Sequence, residues 1–239
     1  MTATALTLGH EATDEELKII SDGFEGAAPD VVLRWALEEF GDDVALATGF
    51  GVEGCVLVDA LARVNRGARI FYLDTDLLFP DTYALIERLR ARYGVRFERR
   101  ATRLSLEAQA ARHGDRLWEH DPAECCRLRK VEPLRETLAG LRAWVTAIRR
   151  DQTPARAGAG LVERDAKFGL VKINPLAAWS SRDVWRYVSQ HEVPYNPLHD
   201  LGYPSVGCAP CTTLVKIGED PRAGRWRGTA KTECGIHSG

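Results

Sequence analysis

Short apolar runs alternate with amphipathic stretches through most of the chain. Val44-Ala45-Leu46-Ala47-Thr48 is the first strand-like run; it ends in Gly49-Phe50-Gly51, and a helical stretch follows from Glu53 to Arg63. Arg69-Ile70-Phe71-Tyr72-Leu73 repeats the pattern, stops at Asp74-Thr75-Asp76 and gives way to a helix from Asp81 to about Tyr93. Val95–Arg99, Trp144–Ile148 and Gly169–Ile173 are three further predicted strands, with a Gly/Ala/Pro-rich loop, Asp151–Gly160, between the last two. Strand, turn, helix, strand at this pace predicts an α/β fold with a parallel sheet. Upstream, Asp14–Phe40 reads as two helices capped by Asp14 and Asp30 and parted by a break at Gly23–Pro29. Ser180–Gln190 reads as a helix capped by Ser181. Beyond Pro194 the periodicity fades, and the polar tail from Asp220 is expected to be mobile. The expected divisions are a helical segment over 1–40, an α/β body over 41–218 and a tail over 219–239.

In open parallel sheets ligands bind beyond the carboxyl ends of the strands. Three polar turns fall there, Thr48–Gly51, Asp74–Asp76 and Arg149–Gln152, and one site should gather them. Thr48, Gly49, Gly51, Glu53, Asp74, Thr75, Arg149 and Arg150 are therefore candidate substrate contacts. The backbone N–H groups of the Gly-rich turn, with the helix start behind it, suit an anionic group. The turn is neither a P-loop nor a GxGxxG fingerprint.

Composition narrows the class. Hydrophobic residues make up 45% and charged residues 28%, enough to bury a core, and the net charge of −2 argues against holding nucleic acid by bulk charge. Met1–His10 lacks the pattern of a signal peptide, and no run approaches the roughly 18 apolar residues of a membrane helix. The expectation is a cytoplasmic protein with no membrane or nucleic-acid partner; a homo-oligomer is left open. In that compartment six cysteines point to metal binding or redox chemistry rather than disulfides.

Cys125-Cys126 and Cys208-x-x-Cys211 together offer four thiolates, which can hold a tetrahedral zinc or a four-iron cluster. Side chains of adjacent cysteines diverge, so a cube with several metal corners accepts them more readily than one ion does. A closed zinc knuckle is the structural alternative. Cys234 is a fifth thiol, with Lys231 and His237 within three residues; cationic neighbours lower a thiol pKa and favour a nucleophile. A spare surface cysteine is the bland alternative. Cys55, in the apolar run Cys55-Val56-Leu57-Val58, reads as a small core residue. Arginines cluster near the cysteines and the strand ends, and their forked donors suit phosphate and sulfate oxygens.

These motifs together resemble the assimilatory adenylyl-sulfate reductases, the cluster-bearing branch of the sulfonucleotide reductases. The likeness rests on Gly49-Phe50-Gly51-Val52-Glu53-Gly54, Leu73-Asp74-Thr75-Asp76-Leu77-Leu78-Phe79-Pro80 and Cys125-Cys126-Arg127-Leu128-Arg129-Lys130. It continues in Ile148-Arg149-Arg150-Asp151-Gln152, Gly207-Cys208-Ala209-Pro210-Cys211 and Glu233-Cys234-Gly235-Ile236-His237. The chain departs from it at Thr48-Gly49, Gly54-Cys55 and Asp76. The resemblance implies an adenine-nucleotide α-hydrolase-like (PP-loop type) fold, a parallel sheet with helices on both faces. It implies one 4Fe–4S cluster on Cys125, Cys126, Cys208 and Cys211, with Cys234 as nucleophile. Lys130, Arg156, Arg222, Arg225 and His237 match positions around the phosphosulfate. The implied reaction is reduction of adenosine 5′-phosphosulfate to sulfite and AMP through an S-sulfocysteine, with thioredoxin or a similar dithiol protein as reductant, in sulfate assimilation and cysteine biosynthesis. The 3′-phosphorylated nucleotide, alone or alongside, is the near alternative. A tRNA-thiolating enzyme of the same fold is remote, because its Ser-Gly-Gly-x-Asp-Ser loop is replaced here by Thr48–Glu53.

Overall fold

A computed structural model describes residues 12–231 and 233–236. Six strands form one sheet: β1 (Val44–Ala47), β2 (Ile70–Leu73), β3 (Phe97–Arg100), β4 (Ala143–Val145), β5 (Val162–Asp165) and β6 (Leu170–Ile173). Their spatial order is β3-β2-β1-β4-β6-β5. Every pairing is parallel except the edge hairpin β5–β6, in which Val162 faces Ile173 and Asp165 faces Leu170. The chain runs outward from β1 to β3 on one side and then returns to lay β4 on the other. The crevice between the ends of β1 and β4 is therefore the topological switch point.

Side chains alternate along the strands and separate two cores. Val44, Leu46, Ile70, Tyr72, Ala143, Val145 and Ile173 face one layer. It is built from α1 (Asp14–Gly23), α2 (Pro29–Phe40), α3 (Val52–Val64), α4 (Pro80–Tyr93) and, late in the chain, the helix Ser181–His191. Ala45, Phe71, Trp144 and Leu170 face the other layer, where they meet Leu134, Leu138 and, from the tail, Ile236. Between β3 and β4 the chain winds through α5 (Leu106–His113), α6 (Leu117–His120), α7 (Pro122–Cys126), one π turn (Arg127–Val131) and α8 (Glu132–Leu138). The helix Ser181–His191 is α9. The sheet thus carries helices on both faces, the adenine-nucleotide α-hydrolase-like architecture.

Several local expectations shift. The cap of α1 is Thr13 rather than Asp14, in a reciprocal capping box with Glu16. α2 starts on Pro29 with no side-chain cap, so Asp30 is a first-turn acid instead. Ser180, not Ser181, caps α9. β5 was not expected: Val-Glu-Arg-Asp lacks an apolar run because the strand lies at the sheet edge, with Asp165 accepting from the buried Trp144 indole N–H at 3.1 Å.

Candidate active site

The turn after β1 is tight for a specific reason. Phe50 takes a left-handed φ of 57° and is buried against Tyr72 and Phe97, while its N–H donates to Thr48 Oγ1 at 3.1 Å. Gly54 has no room for a side chain, since a Cβ there would lie 2.6 Å from Thr48 Oγ1. The glycine that matters sterically is thus the one inside α3, which lets the helix start close over the strand end.

A cleft of ≈ 730 Å³ opens at the β1/β4 crevice. Thr48, Gly49, Gly51, Glu53, Lys130, Arg149, Arg156, Arg222, Arg225 and Cys234 all line it. Along its floor, Arg149 pairs with Glu53 and Asp151, and Gln152 donates to Glu53 at 3.1 Å. Arg156 Nη1 donates to Gln152 Oε1 at 2.5 Å, and Arg156 and Arg222 each place an Nη2 3.0 Å from Glu233 Oε2. The Nε of Arg156 and of Arg225, and the indole Nε1 of Trp226, are buried with no partner among the described residues. Burial lowers the pKa of Arg156 and Arg225, and Arg222 beside them lowers both further. Among the described residues this wall therefore keeps buried donors without acceptors at Arg156, Arg225 and Trp226, which suits an anion.

Three candidates from the strand ends do not line the cleft. Arg150 turns outward to Glu25 and the Ala159 carbonyl. Asp74 is taken up by Tyr83 Oη at 2.8 Å and Arg99 Nε at 2.6 Å. Thr75 sits behind the cleft, its hydroxyl 3.3 Å from Cys208 Sγ. His237 lies outside the described residues.

Cys125, Cys126, Cys208 and Cys211 are all buried and line one pocket with Thr75, Leu77, Arg129, Lys130 and Trp226. The tandem cysteines end α7, whose first turn is capped by Asp121. The Cys-x-x-Cys turn is pinned by Ala209 N–H to the Leu77 carbonyl (2.7 Å) and Cys211 N–H to the Cys208 carbonyl (3.0 Å). Burial pushes the Cys125 thiol up to about 12 and Cys211 to about 11, in each case with neighbouring thiols adding to it. Cys208 goes the other way: burial raises it, but Lys130, the Thr75 hydroxyl and Arg225 outweigh that and hold it below the usual thiol value. Among the described residues no three His, Cys, Asp or Glu side chains converge as ligands of a single ion.

Lys130 and Trp226 belong to both the pocket and the cleft, so one thin wall separates four thiols from the arginines. Cys234 packs against the same thiol group from the cleft side. The tail carrying it lies docked through Glu233, through Gly235, whose carbonyl accepts from Lys167, and through Ile236. Cys55 is a core thiol, fully buried in α3 and pushed by burial up to about 12. Trp185, His199, Trp226 and Glu233 line the cleft without having been singled out from the sequence. Only Glu233, next to Cys234, stood in a motif that could have flagged it.

A parallel sheet with an anion-lined cleft at its switch point, backed by a four-thiol pocket, defines a nucleotide-handling α/β protein of sulfur chemistry. The sequence profile of the phosphoadenosine phosphosulfate reductase domain matches residues 43–214, and the chain belongs to that family. It is 51% identical over 217 residues to adenosine 5′-phosphosulfate reductase 1 of Bacillus subtilis (strain 168), spanning 90% of this chain and 92% of that one. The crystal structure of phosphoadenylyl-sulfate reductase from Candida auris, a phosphate complex, superposes with a TM-score of 0.76 at 30% identity, over 86% of this chain and 99% of that one. FMN adenylyltransferase of Candida glabrata, with FAD and inorganic pyrophosphate, superposes at 0.56 with 15% identity, covering 84% of this chain and 67% of that one, a likeness of fold alone.

Proposed function

We propose that this chain reduces adenosine 5′-phosphosulfate to sulfite and AMP in sulfate assimilation, supplying cysteine biosynthesis, with Cys234 as the nucleophile. The observation that carries the reading is the shared wall: Cys234 faces the cleft where Lys130, Arg156, Arg222 and Arg225 gather. The 51% likeness to a Bacillus protein named for that substrate supports the choice of nucleotide.

In this reading the cations neutralise the phosphosulfate so that an anionic thiolate can approach it. The Cys234 sulfur attacks the sulfate sulfur, the bond to the phosphate oxygen breaks, and AMP leaves with the electron pair. Cys234 then carries an S-sulfo group. One thiolate of a reduced dithiol protein such as thioredoxin attacks the Cys234 sulfur and expels sulfite. Its second thiol resolves the mixed disulfide, so the dithiol is oxidised and Cys234 returns as a thiol. Such dithiols are kept reduced in the cytoplasm, where we place the protein.

The thiol set fits a 4Fe–4S cluster held by Cys125, Cys126, Cys208 and Cys211. Four soft donors bound one pocket, and the diverging side chains of the adjacent Cys125 and Cys126 suit separate corners of a cluster better than one zinc ion. Bound there, a cluster would supply a large local charge beside Lys130.

The test is mass spectrometry after mixing enzyme and adenosine 5′-phosphosulfate without reductant. One SO₃ adduct is expected on Cys234, and Cys234→Ser should lose both adduct and sulfite formation. Sulfite made by Cys234→Ser at the wild-type rate would sink the mechanism. The Candida auris likeness keeps the 3′-phosphorylated nucleotide as a second reading, decided by competing the two nucleotides in one assay. Iron with acid-labile sulfide in anaerobically purified protein is the expected analysis; zinc without sulfide removes the cluster.

A further inference from the structure

Glu233 is the residue before the nucleophile, yet its side chain points into the arginines rather than to solvent. One carboxylate oxygen, Oε2, is shared by Arg156 and Arg222 at 3.0 Å each. The other, Oε1, is buried with no partner among the described residues. The carboxylate is therefore half satisfied, and so is Arg156, whose Nε is equally unpartnered. An ion with three or more oxygens could serve these donors better than one shared carboxylate oxygen does.

The other tail anchors do not use these arginines. Ile236 sits in the apolar layer with Leu134 and Trp144, and the Gly235 carbonyl takes the Lys167 ammonium. Release of Glu233 thus leaves a means of bringing Cys234 back. Arg222 also repels both Arg156 and Arg225, so a negative charge among them relieves the cleft wall.

We propose that Glu233 is a positioning residue that stands in for the substrate's anion. It latches the tail onto Arg156 and Arg222 when no phosphosulfate is bound, and it yields both arginines when one arrives. The proposal rests on reading the cleft as a phosphosulfate site. Substrate then competes with the protein's own carboxylate, and Cys234 stays sheltered between turnovers.

Limited trypsin digestion after Lys231 reads the latch without reference to catalysis. In the loaded enzyme at low salt, Glu233→Gln, which keeps the shape and removes the charge, should speed cleavage about tenfold, the worth of a charge-assisted contact. Titrating sulfate against chloride at constant ionic strength should speed cleavage of the wild type toward the rate of the variant, because sulfate displaces the carboxylate. Equal rates in the two proteins, or protection of the wild type by sulfate, would overturn the proposal. The sulfate arm needs only wild-type protein, so it decides even if the variant folds poorly. In turnover, the KM of Glu233→Gln for adenosine 5′-phosphosulfate should fall about threefold or more, by a larger factor than kcat changes. A raised KM would mean that Glu233 orients the arginines for substrate, and the stand-in role fails. Absence of any sulfite from wild-type enzyme would overturn the functional reading instead, and leave the digestion result to decide the latch.

Discussion

Two groups of arginine sit within the same domain, and they are finished differently. Behind the end of β2, Arg129 donates to Gln109, the Thr75 carbonyl, Asp76 and the Leu104 carbonyl, while Arg99 binds Asp74 and Asp76. No donor of Arg129 is left buried and unpaired. In the cleft wall, Arg156 and Arg222 share one oxygen of Glu233, and the Nε of Arg156 and of Arg225 have no partner among the described residues. Both groups are basic and both flank the thiol pocket or the cleft, so charge alone does not separate them. Saturation does. A closed network holds the chain together, whereas an open one is built for an atom the protein does not supply.

The largest effect should come from opening the closed group. Arg129 is 1% exposed, and Arg129→Ala would strand the Thr75 and Leu104 carbonyls and the buried Gln109 side chain. Breaking such a buried set from one side costs about 3–5 kcal/mol. Urea denaturation should show a loss of that size, and a loss under about 1 kcal/mol would remove the distinction between the groups.

Arg225 should behave in the opposite way. It is half-buried, reaches Ser205 Oγ at 3.3 Å and lies over the Trp226 ring at 4.5 Å, but its buried Nε has no partner among the described residues. Arg225→Ala is expected to cost sulfite formation about a hundredfold or more, the range for deleting one donor to developing charge, with stability held or raised. Gly207→Ala sharpens this. A Cβ at 207 would lie 2.2 Å from Arg225 Nη2, the far end of a flexible side chain, so the arginine should move and the fold should not. About a tenfold fall in kcat/KM with an unchanged denaturation midpoint is the expected pair of results. A collapse in stability would place Arg225 with the structural arginines.

The sequence carried the strands with apolar runs and the chemistry of the thiols, because β1, β2, β4 and β6 are buried on both faces and the cysteines stand in spaced pairs. It did not carry α5 to α7, which are short and weakly periodic, nor β5, whose charged residues suit a sheet edge. Nor could it sort the arginines. Arg150 finds Glu25 at a separation of 125 residues, Arg156 finds Glu233 at 77, and Arg129 finds Asp76 at 53. No spacing rule reaches that far, so a candidate substrate contact such as Arg150 and a cleft residue such as Arg156 read alike until folded.

The smallest effect tests the closed group by pH. Burial would raise the Asp74 carboxyl, but Arg99, the Asp76 N–H and Tyr83 outweigh it and hold it below the usual carboxylate range. The folded pKa is thus lower than the unfolded value of about 3.9, and on acidification the unfolded chain takes the proton first. The stability Asp74 contributes is fully present above about pH 4 and is lost as pH falls through the folded pKa. Asp74→Asn has no such proton to bind. It should be less stable than wild type near neutrality, with the gap narrowing as pH drops below about 4. Denaturation midpoints at a series of pH values read this directly. Parallel curves for the two proteins would mean that the carboxylate gains nothing from Arg99, and the network behind β2 would then be closed in geometry but not in energy.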